Sequence, residues 1–133
     1  MENGVKKVWD AVLSHDSVAI LVFHKTKKSF ILVKQFRPPV LMSLCRGFEE
    51  RNEEILAPFI EQAYTYELCA GIVDKSLTLV DIAREEIHEE CGYDVPNSSI
   101  QKLTSFRTSV GISGAQQTIY YTFVLFFFFF FSP

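Results

Sequence analysis

The sequence predicts a mixed α/β domain of the α+β kind, in which one helix packs on a mixed β-sheet. The chain has 133 residues, of which 48% are hydrophobic and 22% charged, and its patterned segments follow in the order β-β-loop-β-α-β-β. This length suffices for one domain with a sizeable core and is too short for two. The composition excludes a disordered, collagen-like or coiled-coil chain.

Two apolar runs open the predicted domain, Val18–Phe23 and Phe30–Phe36, and a short polar loop joins them. Runs rich in β-branched and aromatic residues on either side of such a loop predict a β-hairpin. The second strand ends at Arg37-Pro38-Pro39, because proline cannot donate a hydrogen bond to a strand ladder. The acidic stretch Cys45–Gln62 contains a glycine and a proline, and it is expected to form a surface excursion with at most one helical turn.

The second half of the chain predicts a third strand, a helix and two closing strands. Tyr64–Leu68 reads as the third strand, and Leu103–Thr108 and Thr118–Leu125 as the closing pair. Between them, Thr78 followed three residues later by an aspartate is an acidic variant of the capping box, so the helix is expected to begin near Leu79. A glycine at position 92 then ends it.

Four glutamates crowd the last two turns of this helix. At about 100° per residue, Glu86 and Glu90 project into the apolar arc, Glu89 lies at its edge, and Glu85 faces solvent. Like charges at these spacings repel, and the C-terminal end of a helix favours cations. Because buried unpaired charges are costly, the cluster predicts a compensating cation, and oxygen-only ligands suit Mg²⁺ or Mn²⁺. The alternative is a solvated acidic face.

These residues resemble the signature box of the Nudix hydrolases, G-x5-E-x7-R-E-U-x-E-E-x-G-U, where U is a bulky aliphatic or aromatic residue. Gly71 matches the first glycine, and Glu86–Tyr93 matches E-U-x-E-E-x-G-U with the correct spacing. Two positions depart from the pattern. The expected first glutamate is Leu77, and the expected arginine is Glu85, with Arg84 one place early. In the family that arginine pairs with the catalytic glutamates, so its loss bears on how well they are held.

The resemblance extends from about Lys6 to Phe123, and it is similar to the UDP-sugar pyrophosphatase branch of the family. The segments that carry it are Lys7–Asp10, His15–Val18, Val33–Pro38, Glu67–Gly71, Glu89–Tyr93 and Ser109–Tyr120. Family members continue on both sides, so the resemblance implies a chain truncated at both ends. Residues 1–124 are then a partial Nudix domain whose C-terminal part is incomplete.

The implied activity is metal-dependent hydrolysis of a nucleoside diphosphate sugar of the UDP-glucose type to UMP and sugar 1-phosphate. Glu86, Glu89 and Glu90 are the implied catalytic residues, and with the Ala70 carbonyl they would hold Mg²⁺, with Mn²⁺ as a substitute. The general base is left open. Two alternatives stand beside this activity: hydrolysis of ADP-ribose, and a catalytically inactive fragment of the same fold.

Three further residues are candidates for binding the substrate. Arg37 follows the second strand, and its guanidinium matches phosphate oxygens in shape and charge, although a surface arginine that caps a strand end is the alternative. Ser109 and Gly111 belong to a glycine-rich turn that the family resemblance places near the substrate.

Charge and cysteine content indicate the compartment and partners. A net charge of −3 argues against nucleic acid as a partner. Three cysteines without a C-x-x-C spacing, behind a charged N-terminus with no signal-peptide pattern, predict a cytoplasmic protein. The family resemblance implies a homodimer.

The last nine residues, Leu125–Pro133, form a low-complexity tail that contains the consecutive phenylalanines Phe126–Phe131. The apolar run from Ile119 to Phe131 is 13 residues long, whereas a helix needs about 20 to cross a bilayer. We expect a non-native terminus and no membrane partner, and a lipid-associated tail is the alternative.

Overall fold

A computed structural model describes residues 3–48 and 52–125 of the chain, and within them it shows the predicted mixed α/β architecture. The elements are β1 (Ser17–His24), β2 (Ser29–Ile31), β3 (Val33–Phe36), α1 (Pro38–Leu44), α2 (Glu53–Leu56), β4 (Tyr64–Glu67), β5 (Cys69–Ile72), α3 (Leu79–Cys91), β6 (Gln101–Arg107) and β7 (Gln116–Val124). Single 3-10 turns lie at Ala57–Phe59, Glu61–Ala63 and Asn97–Ser99.

Strand β1 is the centre of the larger, five-stranded sheet. It runs parallel to β7 along its whole length, and β6 lies antiparallel on the far side of β7. On its other edge β1 has two antiparallel partners, β5 along its first half and β2 along its second. The sheet is therefore mixed, and β5, which contacts α3, is anchored to β1.

The second strand predicted over Phe30–Phe36 proves to be two strands in different sheets. The chain leaves the large sheet after β2, passes through the half-exposed Leu32, and forms β3, which pairs antiparallel with β4 in a small two-stranded sheet. The side-chain alternation continues unbroken, since Ile31 and Val33 both pack on the same core cluster. A change of sheet that preserves the period of two leaves no trace in the hydrophobic pattern.

The two prolines end β3 as predicted, and they also begin a helix that the sequence analysis did not predict. Proline is favoured in the first turn of a helix, because its missing N–H would have no partner there. Helix α1 packs with the 3-10 turns on a small separate cluster of buried residues, namely Leu41, Cys45 and Ala63. The one helical turn expected in the acidic excursion is α2, whose cap Asn52 accepts a hydrogen bond from the Ile55 N–H at 3.1 Å.

Helix α3 has the predicted limits. The Thr78 hydroxyl caps its first turn by accepting from the Asp81 N–H, and Gly92 ends it in the left-handed conformation with φ of 73°. Its buried face presents Ile82 and Ile87 to the core that β1 also lines. Burial of such a stripe fixes the rotation of the helix, and with it the direction of every glutamate on it.

In the described part of the chain, no helix is long and apolar enough to cross a membrane. The predicted tail over Phe126–Phe131 lies outside the described residues.

Candidate functional site

Glu86 and Glu90 lie where α3 packs against β5. The backbone N–H of Ala70 donates a hydrogen bond to Glu90 Oε2 at 3.0 Å. The Glu86 side chain lies directly over Gly71, so that a methyl group there would come within 2.0 Å of Glu86 Oε1 and 2.6 Å of its Cγ. Gly71 is therefore required for close approach, and the helical periodicity that directed both glutamates inward agrees with the structure.

The Glu86 carboxylate is in an unfavourable electrostatic environment. Burial raises its pKa, and the negative charges of Glu90 and Glu89 raise it further, while Lys75 acts in the opposite direction. A carboxylate that is partly removed from water beside two others is stabilised by any cation that enters among them. The arrangement favours binding of a positive ion at this face.

The outward acids of α3 have ordinary surface partners. Glu85, which stands where the family has an arginine, forms a salt bridge of 2.8 Å with Lys75 from the preceding loop. Asp81 accepts hydrogen bonds from Thr78 and Asn97, and both lower its pKa. Glu89 is exposed. The pKa of Asp81 and that of Glu86 are therefore shifted in opposite directions on one helix.

The donor atoms at this face suit a hard divalent cation, because carboxylate and carbonyl oxygens are the ligands that Mg²⁺ prefers. Across residues 3–48 and 52–125, however, no three His, Cys, Asp or Glu side chains are gathered closely enough to hold a metal ion. Glu86, Glu89 and Glu90 share one helix and influence one another electrostatically, but they do not converge on a point. The chemical character of the site fits Mg²⁺, and the metal set predicted from the sequence stays a prediction.

Arg37 is held by Glu67, a residue that sequence reasoning did not single out. The Arg37 Nε donates to Glu67 Oε1 at 2.7 Å and its Nη2 donates to Oε2 at 2.5 Å. The Thr65 hydroxyl also donates to Glu67 Oε1. These contacts lower the pKa of Glu67 to about 2, with the Arg37 hydrogen bonds as the largest cause. One signal in the sequence could have identified Glu67: it is the acidic residue of the segment Glu67–Gly71, which resembles the family.

The charge of Glu90 acts on the Arg37 guanidinium. Its pKa is raised mainly by the hydrogen bonds to Glu67, and the negative charge of Glu90 contributes as well. Glu67 ends β4 only three residues before Ala70, which holds Glu90. Arg37 is therefore linked through Glu67 to the backbone segment that contacts Glu90, and its role as a phosphate contact stays a prediction.

The turn with Ser109 and Gly111 lies at the same end of the large sheet. Ser17 at the start of β1 pairs both with Ile72, next to Gly71, and with Gln117 at the start of β7. Ser109 adopts a left-handed conformation with φ of 48°. Its carbonyl accepts hydrogen bonds from the N–H groups of residues 112 and 113, which closes the turn. Both predicted residues are exposed at this end of the sheet.

The three cysteines are buried free thiols. Cys69 in β5 hydrogen-bonds with Cys91 at the end of α3, and this contact together with burial raises the pKa of the Cys69 thiol. The same contact lowers the pKa of the Cys91 thiol. A thiol held in its protonated form packs as a small apolar group, which is the role of Cys69.

Known proteins resemble this chain in sequence and in fold. No family model matches the chain. The chain is 40% identical to uridine diphosphate glucose pyrophosphatase NUDT14 of Bos taurus and 36% identical to that of Mus musculus, in each case over 90% of this chain and 59% of the relative. The crystal structure of an ADP compounds hydrolase superposes with a TM-score of 0.64 and 14% identity, over 99% of this chain and 60% of that one.

The structural likeness shows the fold, and the sequence likeness shows the kinship. The chain spans about three fifths of the length of the curated relatives it matches. The matching relatives, the shared fold and the glutamate-rich box on α3 lead to one conclusion. The chain is a homologue of proteins named uridine diphosphate glucose pyrophosphatase, and it resembles the Nudix hydrolases in its glutamate-rich box and its fold.

Proposed function

We propose that this chain hydrolyses a nucleoside diphosphate sugar of the UDP-glucose type to UMP and sugar 1-phosphate. The observation that carries the proposal is the placement of Glu86 and Glu90 on the inner side of α3, against the backbone of Ala70 and Gly71. The 40% identity to a UDP-glucose pyrophosphatase supports this substrate class. Because the match covers only 59% of the relative, we propose the activity for this chain separately from that of the relative.

Mg²⁺, or Mn²⁺ in its place, would be held by Glu86, Glu89 and Glu90 with the Ala70 carbonyl. When bound, such an ion neutralises charge on the diphosphate and makes a bound water more acidic. The support is the hard-oxygen donor set and the crowding that raises the pKa of Glu86.

The remaining roles belong to residues of the chain itself. The Ala70 N–H orients the Glu90 carboxylate toward β5. Arg37 offers N–H donors to phosphate oxygens, and Ser109 and Gly111 contact the substrate from the turn at the same end of the sheet. Water attacks phosphorus, the P–O bond of the anhydride breaks, and the released phosphate oxygen leaves as part of UMP or of the sugar phosphate.

Two observations favour alternatives to hydrolysis of UDP-glucose. The shared fold with an ADP compounds hydrolase favours ADP-ribose as a second substrate to be tested. The two departures from the box, Leu77 and Glu85, favour an inactive protein.

The test is release of phosphate from UDP-glucose and from ADP-ribose, after coupling to a phosphatase, in Mg²⁺ and in EDTA. We expect faster turnover of UDP-glucose, lost in EDTA. Glu90→Gln should lower kcat at least 100-fold and keep the melting temperature, while Glu85→Gln on the outer side of α3 serves as the matched control with near-normal kcat. Folded wild-type protein that turns over neither substrate would identify the inactive alternative, and near-normal Glu90→Gln activity would contradict the assignment.

We further propose a cytoplasmic homodimer. Exposed apolar side chains support a protein interface, because Trp9 and Val110 are each 75% and Tyr66 is 70% exposed. The reduced cysteines support the compartment. Sedimentation velocity of the chain checks the stoichiometry, and a monomer at micromolar concentration would contradict the dimer.

A further inference from the structure

We propose that Glu67 is a positioning residue that fixes the Arg37 guanidinium so that its outer edge binds the diphosphate of the substrate. This inference deepens the proposed function and rests on it for the identity of the anion. Glu67 was not among the residues expected to serve the site.

The first step of the argument is the geometry of the Arg37–Glu67 pair. Arginine carries five N–H donors in one plane. Glu67 engages the Nε hydrogen and one Nη2 hydrogen, at 2.7 and 2.5 Å. Of the three donors that remain, the second Nη2 hydrogen and one Nη1 hydrogen form a parallel fork on another edge of the same plane. That edge has the spacing that matches two phosphate oxygens.

The second step is that Glu67 is itself held. The Thr65 hydroxyl donates to Glu67 Oε1, and both residues belong to β4, which is paired with β3. Arg37 is anchored at its backbone, since its N–H donates to the Ala63 carbonyl at 2.9 Å. The guanidinium plane is thus fixed from both ends, and the Arg37 side chain remains 43% exposed. Little rotamer entropy is left to lose when an anion binds.

The third step is location. Glu90 lies close enough for its charge to act on Arg37, and Ala70, which holds Glu90, follows Glu67 by three residues. An anion on the outer edge of Arg37 would therefore lie beside the inward glutamates of α3. Aligning a substrate against such a group is a large source of rate enhancement, because the geometry is set before the reaction.

A positioning role and a purely electrostatic role of Glu67 predict opposite effects of Glu67→Gln on anion binding, so this variant distinguishes them. Removal of the carboxylate leaves Arg37 with its full positive charge, so a purely electrostatic role predicts tighter binding of anions. A positioning role predicts weaker binding, because the fork is no longer fixed.

The experiment measures kcat and KM for UDP-glucose in Mg²⁺, and in parallel the binding of inorganic pyrophosphate by calorimetry in EDTA. We expect Glu67→Gln to lower kcat/KM at least 10-fold and to weaken pyrophosphate binding at least 5-fold. Arg37→Lys keeps the charge but lacks the fork, so it should lose as much, and the double variant should lose no more than the worse single one. Thr65→Val should give a smaller loss of about two- to threefold.

Lys34→Met is the matched control, because it removes a cation from the exposed face of β3, where Lys34 lies over Tyr64 and Tyr66. Both kcat/KM and pyrophosphate binding should be unchanged. If Glu67→Gln binds pyrophosphate as well as the wild type or better, the positioning role is overturned. A lower melting temperature with unchanged kcat/KM would overturn it too, since that is a purely structural role. If wild type turns over no substrate but pyrophosphate binding falls in Glu67→Gln, the anion site stands and the proposed function fails.

Discussion

Glu67 and Glu86 are two partly buried carboxylates whose pKa values are shifted in opposite directions. Glu67 at the end of β4 has a bidentate arginine, and its pKa falls to about 2. Glu86 on α3 lies over Gly71 beside Glu90, and burial and that second acid raise its pKa. The arginine beside Glu67 favours its charged form, whereas deeper burial and neighbouring acids disfavour the charged form of Glu86.

The contrast shows what each carboxylate contributes. Glu67 is already neutralised by its partner, so it is suited to hold Arg37 and poorly suited to bind a further cation. The charge of Glu86 is disfavoured by burial and by the acids beside it, and a cation at this place would relieve it. Glu67 completes a fixed ion pair, whereas Glu86 has no such partner among the hydrogen bonds and salt bridges of the described residues.

The largest expected effect comes from Gly71→Ala, which removes the place that Glu86 occupies. The new methyl would meet the outer atoms of the Glu86 side chain, which can rotate away, so we expect a free energy of unfolding within about 1 kcal/mol of the wild type. The displaced carboxylate should lower kcat for UDP-glucose about 100-fold. Gly114→Ala is the control, because its added methyl meets nothing within 4 Å. Full activity of Gly71→Ala would show that Glu86 need not approach β5.

The next largest effect concerns Glu67, and it is measured through the pH dependence of the free energy of unfolding. Because the pKa of Glu67 is lowered from 4.5 to about 2 on folding, its stabilising contribution is present above pH 4.5 and is lost as the pH falls toward 2. Glu67→Gln should cost about 1 kcal/mol at pH 7, a figure reduced for solvent screening of a partly exposed pair. Chemical denaturation at several pH values should show the difference from wild type vanishing near pH 2. A difference independent of pH would contradict the charge pair.

The smallest effect concerns Glu86, and it is measured as the free energy of unfolding with and without Mg²⁺. In EDTA at pH 7, Glu86→Gln should raise the free energy of unfolding by about 0.5 kcal/mol, because it removes a carboxylate that burial and two like charges disfavour. With saturating Mg²⁺ the order should reverse, since only the wild type gains the stabilisation of a bound ligand. Glu85→Gln, whose carboxylate pairs with Lys75, should show no such reversal. Equal stability of Glu86→Gln and wild type under both conditions would remove the case for a cation at this face.

Much of the fold could be predicted because the signals are local. The limits of α3 follow from Thr78 and Gly92, each of which acts on backbone groups within one turn of itself. The strand β1 follows from a compact apolar run. By contrast, β5 was not predicted, because its four residues Cys69–Ile72 carry little strand propensity and are held by pairing with β1. The division of Phe30–Phe36 between two sheets was equally invisible, because both halves keep the same alternation.

The candidate site divides in the same way. The inward direction of Glu86 and Glu90 was set by the period of the helix and the position of its apolar stripe, so the sequence alone determined it. The partners of those acids come from elsewhere in the chain: Ala70 and Gly71 lie 20 and 15 residues away, and Glu67 meets Arg37 across 30 residues. Only the tertiary structure decided which carboxylate received the arginine and which was left crowded, because such pairings depend on how β3, β4 and β5 are brought beside α3.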